Sequence, residues 1–213
     1  MTNIFLHLEK KRTIFWDFDG VIKESVGLKG KAFQELIDNT SQDIKKKILQ
    51  HHIQNGGISR YKKIPIYMKW CGINNNSKNE RYYLDKYSKS VCSSVINAKW
   101  VDGVINILEN KKKKQKYIIV TATPQFEIEY IMKELNIEHY FDKIYGSPTD
   151  KSVAIKDYLM INKRSASESV LIGDNISDYL AAKPNKIEFI LRSASWNKDF
   201  SDQYKGIKIK NFL

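Results

Sequence analysis

Asp17 and Asp19 stand one residue apart in TIFWDFDGVI (residues 13–22), where an apolar run gives way to acid. A second pair, Asp174 and Asp178, follows the apolar run of SVLIGDNISD (169–178). Thr121 and Ala122 close a third run, YIIVTA (117–122), and Lys151 heads a helical stretch after YGSPTD (145–150). Three or four carboxylates gathered within a few ångströms repel one another, and some would have to take up protons. A hard divalent ion with oxygen ligands resolves the conflict. Mg²⁺ typically takes one or two carboxylates, waters and a substrate phosphate. Lys151 and the Thr121 hydroxyl would then face the phosphate, and Thr121 and Ala122 precede a helix N-terminus, where backbone N–H groups favour anions.

That chemistry requires a fold that gathers the groups. TIFWDF (13–18), YIIVTA (117–122) and SVLIGD (169–174) are short, rich in β-branched and aromatic residues, and suit strands buried on both faces; IEFILR (187–192) is a fourth candidate. Val101, Val104, Ile105 and Leu108 fall on one helical face, as do Ile128, Ile131, Met132 and Leu135. Thr123 is the expected cap of the second helix, with Pro124 in its first turn. From residue 100 onward strand and helix alternate, which predicts an α/β fold with a doubly wound parallel sheet. Ligands bind such a sheet beyond the carboxyl ends of its strands, where the polar residues above stand. Asp17 and Asp19 share a side because alternate residues of an extended chain face alike.

Residues 24–97 break the alternation. AFQELI, IKKKILQHHI and SKNERYYLDKYSKSVCSSVI read as helices, the last opened by a Ser77–Glu80 capping box, and GGISRYKKIP (56–65) reads as a turn or loop. The chain therefore divides into a core of residues 1–23 and 98–213 and an inserted helical cap of residues 24–97. Trp70, Tyr82, Tyr83 and Tyr87 are expected in the cap's own core.

The formal charge of +12 reads as a solvated lysine surface, without the recurring aromatic–basic interleaving that nucleic-acid binding would suggest. No apolar stretch is long enough to span a membrane, and the first fifteen residues have their apolar part before their basic part, the reverse of a signal peptide, so a cytoplasmic location is expected. Cys71 and Cys92 form no CxxC pair and are expected buried and reduced; no histidine has metal-ligand spacing.

Four segments in order resemble the motifs of the haloacid dehalogenase-like superfamily: DFDGV (17–21), VTATP (120–124), Lys151 in GSPTDK, and IGDNISD (172–178). The resemblance implies a Rossmann-like core, a C1-type helical cap and Mg²⁺. It implies Asp17 as nucleophile forming an aspartyl-phosphate, and Asp19 as general acid and then base. The metal would be held by the Asp17 carboxylate, the Asp19 backbone carbonyl and Asp174, with Asp178 a water-mediated ligand or an orienting group. Thr121 and Lys151 would neutralise the phosphoryl oxygens. An aspartate two residues after the nucleophile resembles the family's phosphatases and hexose-phosphate mutases.

The expected activity is thus Mg²⁺-dependent hydrolysis of a small phosphorylated metabolite. GGISRYKK (56–63) resembles a specificity segment of the family's caps, in which Arg60 would pair with a substrate carboxylate or second phosphate, or else form a surface ion pair. The β-phosphoglucomutases end that segment in Ser-Leu, whereas this chain has Lys63 and Ile64, which counts against mutase chemistry. A phosphosugar mutase, a nucleic-acid-end phosphatase and a catalytically idle binding protein are the alternatives. The sequence does not define an oligomeric state.

Overall fold

The apolar runs become strands whose two faces are both covered. In the computed structural model, which describes residues 4–213, these are β1 (Thr13–Trp16), β2 (Lys116–Pro124), β3 (Lys143–Ser147), β4 (Ser169–Gly173), β5 (Glu188–Arg192) and β6 (Ile207–Ile209). They form one parallel sheet in the order β3-β2-β1-β4-β5-β6. Residues 1–3, where the leader reading begins, lie outside the described part.

Pleating divides each strand between two cores. Ile14, Trp16, Ile119, Val170, Ile172 and Ile190 enter one, and Phe15, Ile118, Val120, Leu171, Phe189 and Leu191 enter the other. Every residue of β1 and β4 is buried, which is why these strands read as unbroken apolar runs. The edge strands β3 and β6 escape sequence analysis because they are short and partly exposed, with little apolar patterning.

The described residues also form ten α-helices and three short 3-10 turns; the α-helices are α1 (Ile4–Glu9), α2 (Val26–Gln34), α3 (Gln42–Gln54), α4 (Arg60–Trp70), α5 (Ser77–Ile96), α6 (Val104–Glu109), α7 (Gln125–Glu134), α8 (Lys151–Ile161), α9 (Ile176–Ala182) and α10 (Lys198–Gln203). Between β1 and β2 the helices α2 to α5 form an all-helical insertion whose interior, with Phe33, Tyr67 and Tyr87, is continuous with the first core. Tyr87 is buried there and Tyr82 is exposed. No helix among the described residues is long and apolar enough to cross a membrane. Cys71 and Cys92 are free, but half-buried rather than buried.

Three local readings are corrected. The segment read as a loop around Pro65 is largely helix α4, whose buried residues Arg60, Lys63, Ile64, Tyr67 and Met68 follow helical spacing. That packed face outweighs the hydrogen bond lost at Pro65. The cap of α5 is Asn76, which accepts from the Asn79 N–H, instead of Ser77. Strand β2 runs on through Pro124, so Thr123 is not the cap of α7, and its hydroxyl is used elsewhere.

Candidate active site

Strand β1 ends just before Asp17, but the ladder continues for one bond, Asp17 N–H to the Ile172 carbonyl at 2.9 Å. Phe18 is buried in the core, and the N–H groups of Val21, Ile22 and Lys23 turn back to its carbonyl. The turn passes through Gly20 at φ +76°, where a Cβ would lie 2.3 Å from Asp174 Oδ2. Only glycine gives both the left-handed backbone and the close approach.

Asp17, Asp174 and Asp178 converge from β1, β4 and α9, with one oxygen of each within 4.8 Å of the others. Each is further held in place. Asp17 Oδ1 accepts from the Phe18 N–H at 2.8 Å and lies 2.9 Å from Lys151 Nζ. Asp178 accepts from Lys151 at 2.6 Å and, through its other oxygen, from the Asn175 N–H of the α9 capping box. Asp174 accepts from Trp196 Nε1 at 2.7 Å, while Asn197 holds its backbone carbonyl.

Burial pushes the Asp17 and Asp174 carboxyls upward, and their acidic neighbours add to the shift although Lys151 opposes it. The Lys151 ammonium is also shifted upward, which keeps it charged: burial would lower it, but Asp17 and Asp178 raise it overall. Three carboxylates and one ammonium sum to −2, the charge one divalent cation neutralises. These hard oxygen donors fit Mg²⁺ in kind and in charge.

Asp19 stands apart from that cluster. Its carboxylate accepts from Ser25 Oγ at 2.5 Å and from Thr123 Oγ1 at 3.1 Å, and it pairs with Lys29, which also donates to Thr123 Oγ1 at 2.8 Å. Burial alone would raise its pKa, but Lys29 and the hydroxyls lower it overall, so Asp19 is held as a carboxylate. The Asp19 side chain is thus already engaged by Ser25, Lys29 and Thr123.

One narrow cleft, with about 50 Å³ of room for water-sized spheres, joins these groups. Asp17, Asp19, Thr121, Ala122, Lys151 and Asp174 line its sheet side. Thr121 Oγ1 accepts from the Thr123 N–H at 3.2 Å, and its own hydroxyl proton is left to donate. The insertion supplies the opposite wall. It meets the sheet edge closely: a Cβ on Gly57 would fall 1.7 Å from Ser177 Oγ, and Ser59 Oγ accepts from Ser147 Oγ at 2.8 Å.

Arg60 also lines the cleft, yet it is neither exposed nor open to an incoming anion. Its guanidinium makes two bonds to Glu127 of α7, at 2.7 and 2.5 Å, and lies over the Tyr87 ring. Ser88 completes the Glu127 carboxylate. The surface-pair alternative fails on burial, since both side chains are almost wholly enclosed. Lys29, Thr123, Trp196, Lys63 and His52 also line the cleft but were not read as site residues from the sequence. Only Lys63 had a legible signal: it lies three residues after Arg60 on the same helical face.

The haloacid dehalogenase-like hydrolase pattern matches residues 14–191, from the first strand to the fifth. The chain belongs to the haloacid dehalogenase-like hydrolase family. A phosphorylated carbohydrates phosphatase of Thermotoga maritima is 25% identical over 187 residues, covering 83% of this chain and 82% of that one. Two solved structures share the hydrolase fold at a TM-score of 0.77, each covering 95% of both chains: a predicted phosphoglycolate phosphatase from Haemophilus somnus at 14% identity, and CbbY from Rhodobacter sphaeroides, in complex with xylulose-(1,5)bisphosphate, at 12%. The family thus accounts for the order of the four motifs and for the gathering of their residues at one sheet edge.

Proposed function

We propose that this hydrolase releases phosphate from a small phosphorylated metabolite, using Mg²⁺ and an aspartyl-phosphate on Asp17. The observation that carries the reading is the Asp17–Lys151–Asp178–Asp174 constellation, with one ammonium among three buried carboxylates. The phosphatase relative and the two structures named above support the same class of substrate.

Asp17, Asp174 and the Asp19 carbonyl would hold the metal, and Asp178 would orient Lys151 and the α9 N-terminus. When bound, Mg²⁺ screens phosphoryl charge and carboxylate repulsion. Asp17 Oδ1 is tied down, whereas Oδ2 accepts no hydrogen bond among the described residues and is the oxygen suited to attack. Its bond to phosphorus forms as the ester P–O bond breaks, and Asp19 protonates the leaving alkoxide. Asp19 then takes a proton from water as that water attacks phosphorus, which restores Asp17 and yields inorganic phosphate. As held by Lys29, Asp19 is ionised and ready for this second step; the first requires its proton, and hence a loosened Lys29 contact. Lys151 and the Thr121 hydroxyl stabilise the equatorial oxygens, with Ala122 at the same strand end.

The helical insertion acts as a C1-type cap with boundaries at residues 24 and 97, and closes the cleft over the substrate. A reducing, cytoplasmic setting suits the two free cysteines. A screen of phosphorylated metabolites with Mg²⁺ tests the reading against Asp17→Asn. Phosphate release that this substitution lowers by at least about 10³-fold is expected, the scale of losing a covalent nucleophile. Equal release by both proteins removes Asp17 from the mechanism.

A further inference from the structure

The cations around the cleft are paired with carboxylates, with one exception on the cap side. Lys29 is matched by Asp19, Arg60 by Glu127, and Lys151 by Asp17 and Asp178. Lys63 also lines the cleft, is 1% exposed, and has no ion-pair partner among the described residues. Its ammonium has one hydrogen-bond contact, to His52 Nδ1 at 3.1 Å, and lies 5.8 Å from the Phe33 ring.

His52 does not supply the missing negative charge. Burial, with Lys63 and Lys29 nearby, depresses it to about 3, so the ring is neutral and Nδ1 accepts from Lys63. An ammonium has three donors, and His52 uses one. Burying a cation without a counter-charge is costly, and a side chain with so flexible a stem would reach water if nothing else were gained. Burial, reinforced by Lys29 and only partly opposed by Asp19, which is itself paired with Lys29, has already brought Lys63 down to about 7. The opposite wall shows the converse imbalance, an excess of carboxylate suited to a metal.

Resting on the hydrolase reading, we infer that Lys63 is a specificity residue that receives a second anionic group on the substrate's leaving portion, a carboxylate or a second phosphate. The role that sequence analysis expected of Arg60 passes to the residue one turn further along α4, because Glu127 has already neutralised Arg60. An anion at Lys63 supplies the absent counter-charge and takes up the ammonium's remaining donors. Both ends of the substrate are then held, so the ester phosphorus is presented to Asp17 in one orientation. A phosphomonoester whose far end is an uncharged hydroxyl leaves the buried cation unmatched and is selected against.

The test compares glycerol 3-phosphate, 3-phosphoglycerate and propane-1,3-diyl bisphosphate, three-carbon compounds whose far ends are a hydroxyl, a carboxylate and a phosphate. For the native chain, kcat/KM for at least one anionic compound should exceed that for glycerol 3-phosphate by about tenfold or more, and Lys63→Met should shrink that ratio by about tenfold or more, the scale of a charge-assisted contact. Which anionic compound leads tells carboxylate from phosphate. Because a misfolded variant could mimic a loss, thermal unfolding is followed at pH 6 without ligand. Lys63→Met should unfold at a higher temperature than the native chain there, since an unmatched buried charge has been removed; a lower temperature would indicate a purely structural Lys63–His52 contact and overturn the inference. A native preference near one, or an unchanged ratio in the variant, also overturns it while Asp17-dependent release from p-nitrophenyl phosphate leaves the hydrolase reading standing. No Asp17-dependent release from any of these compounds defeats that reading, and the inference with it.

Discussion

At the scale of single residues, the site depends on groups held where their ordinary chemistry is perturbed. Gly20 is the clearest steric case. Gly20→Ala places a methyl 2.3 Å from Asp174 Oδ2 on a backbone at φ +76°, so the carboxylate or the turn must move. The expected result is lost turnover of about 100-fold, the scale of an ångström's misplacement, together with a lowered unfolding temperature. Near-native kinetics in that variant would show that Asp174 tolerates displacement. Lys63 is the clearest electrostatic case. Its folded pKa, about 7, lies below its unfolded value of about 10.5, so the unfolded chain binds more protons between them. The contribution to stability is therefore fully present above about pH 10.5 and is lost as pH falls toward 7. The stability gained by Lys63→Met should be largest below pH 7 and shrink toward pH 10; denaturant unfolding of both proteins across that range measures it. A gain independent of pH would mean that the charge is not its source.

At the scale of elements, the helical insertion and the sheet are joined by a few specific contacts. Arg60 of α4 and Glu127 of α7 form the central one, with Ser88 of α5 on the same carboxylate. A buried pair adds little over an apolar pair of the same shape, but removing one partner strands the other charge. Arg60→Met or Glu127→Leu alone should cost about 3–5 kcal/mol, whereas the double substitution should recover most of it. Denaturant titration of the four proteins measures the coupling, and additive losses would rule out a direct pair. The same elements show why patterning went only part of the way. The helical face of α4 was present in the sequence at Arg60, Lys63, Ile64 and Tyr67, but Gly57 and Pro65 mark turns in most contexts. Thr123 resembled a helix cap because its residue type and the following proline fit one. The strand instead extends through Pro124, and the Thr123 hydroxyl bonds Asp19, more than a hundred residues away.

At the scale of the molecule, the local charge of the site runs against the charge of the chain. A protein of formal charge +12 keeps three carboxylates around one ammonium at its sheet edge. Mg²⁺ binding should relieve that repulsion and stabilise the fold even without substrate. At a hundred times its dissociation constant the gain is about 2.7 kcal/mol, or roughly 5–10 °C in Tm for a chain of this size. Asp174→Asn should abolish most of the increment, and an increment that survives intact would place the ion elsewhere. The sequence by itself determined the parallel α/β core and the helical stretch after the first strand, and it pointed to Asp17, Asp19, Thr121, Lys151, Asp174 and Asp178 as residues to expect at one sheet edge. It could do so because strand burial and strand-end chemistry are written in adjacent residues. Only the tertiary structure decided which charges meet. Glu127 occupies Arg60, Lys29 holds Asp19 ionised, and Lys63 is left without a counter-charge, because ion pairing depends on distances between elements remote in the chain, and no local period or motif encodes those distances.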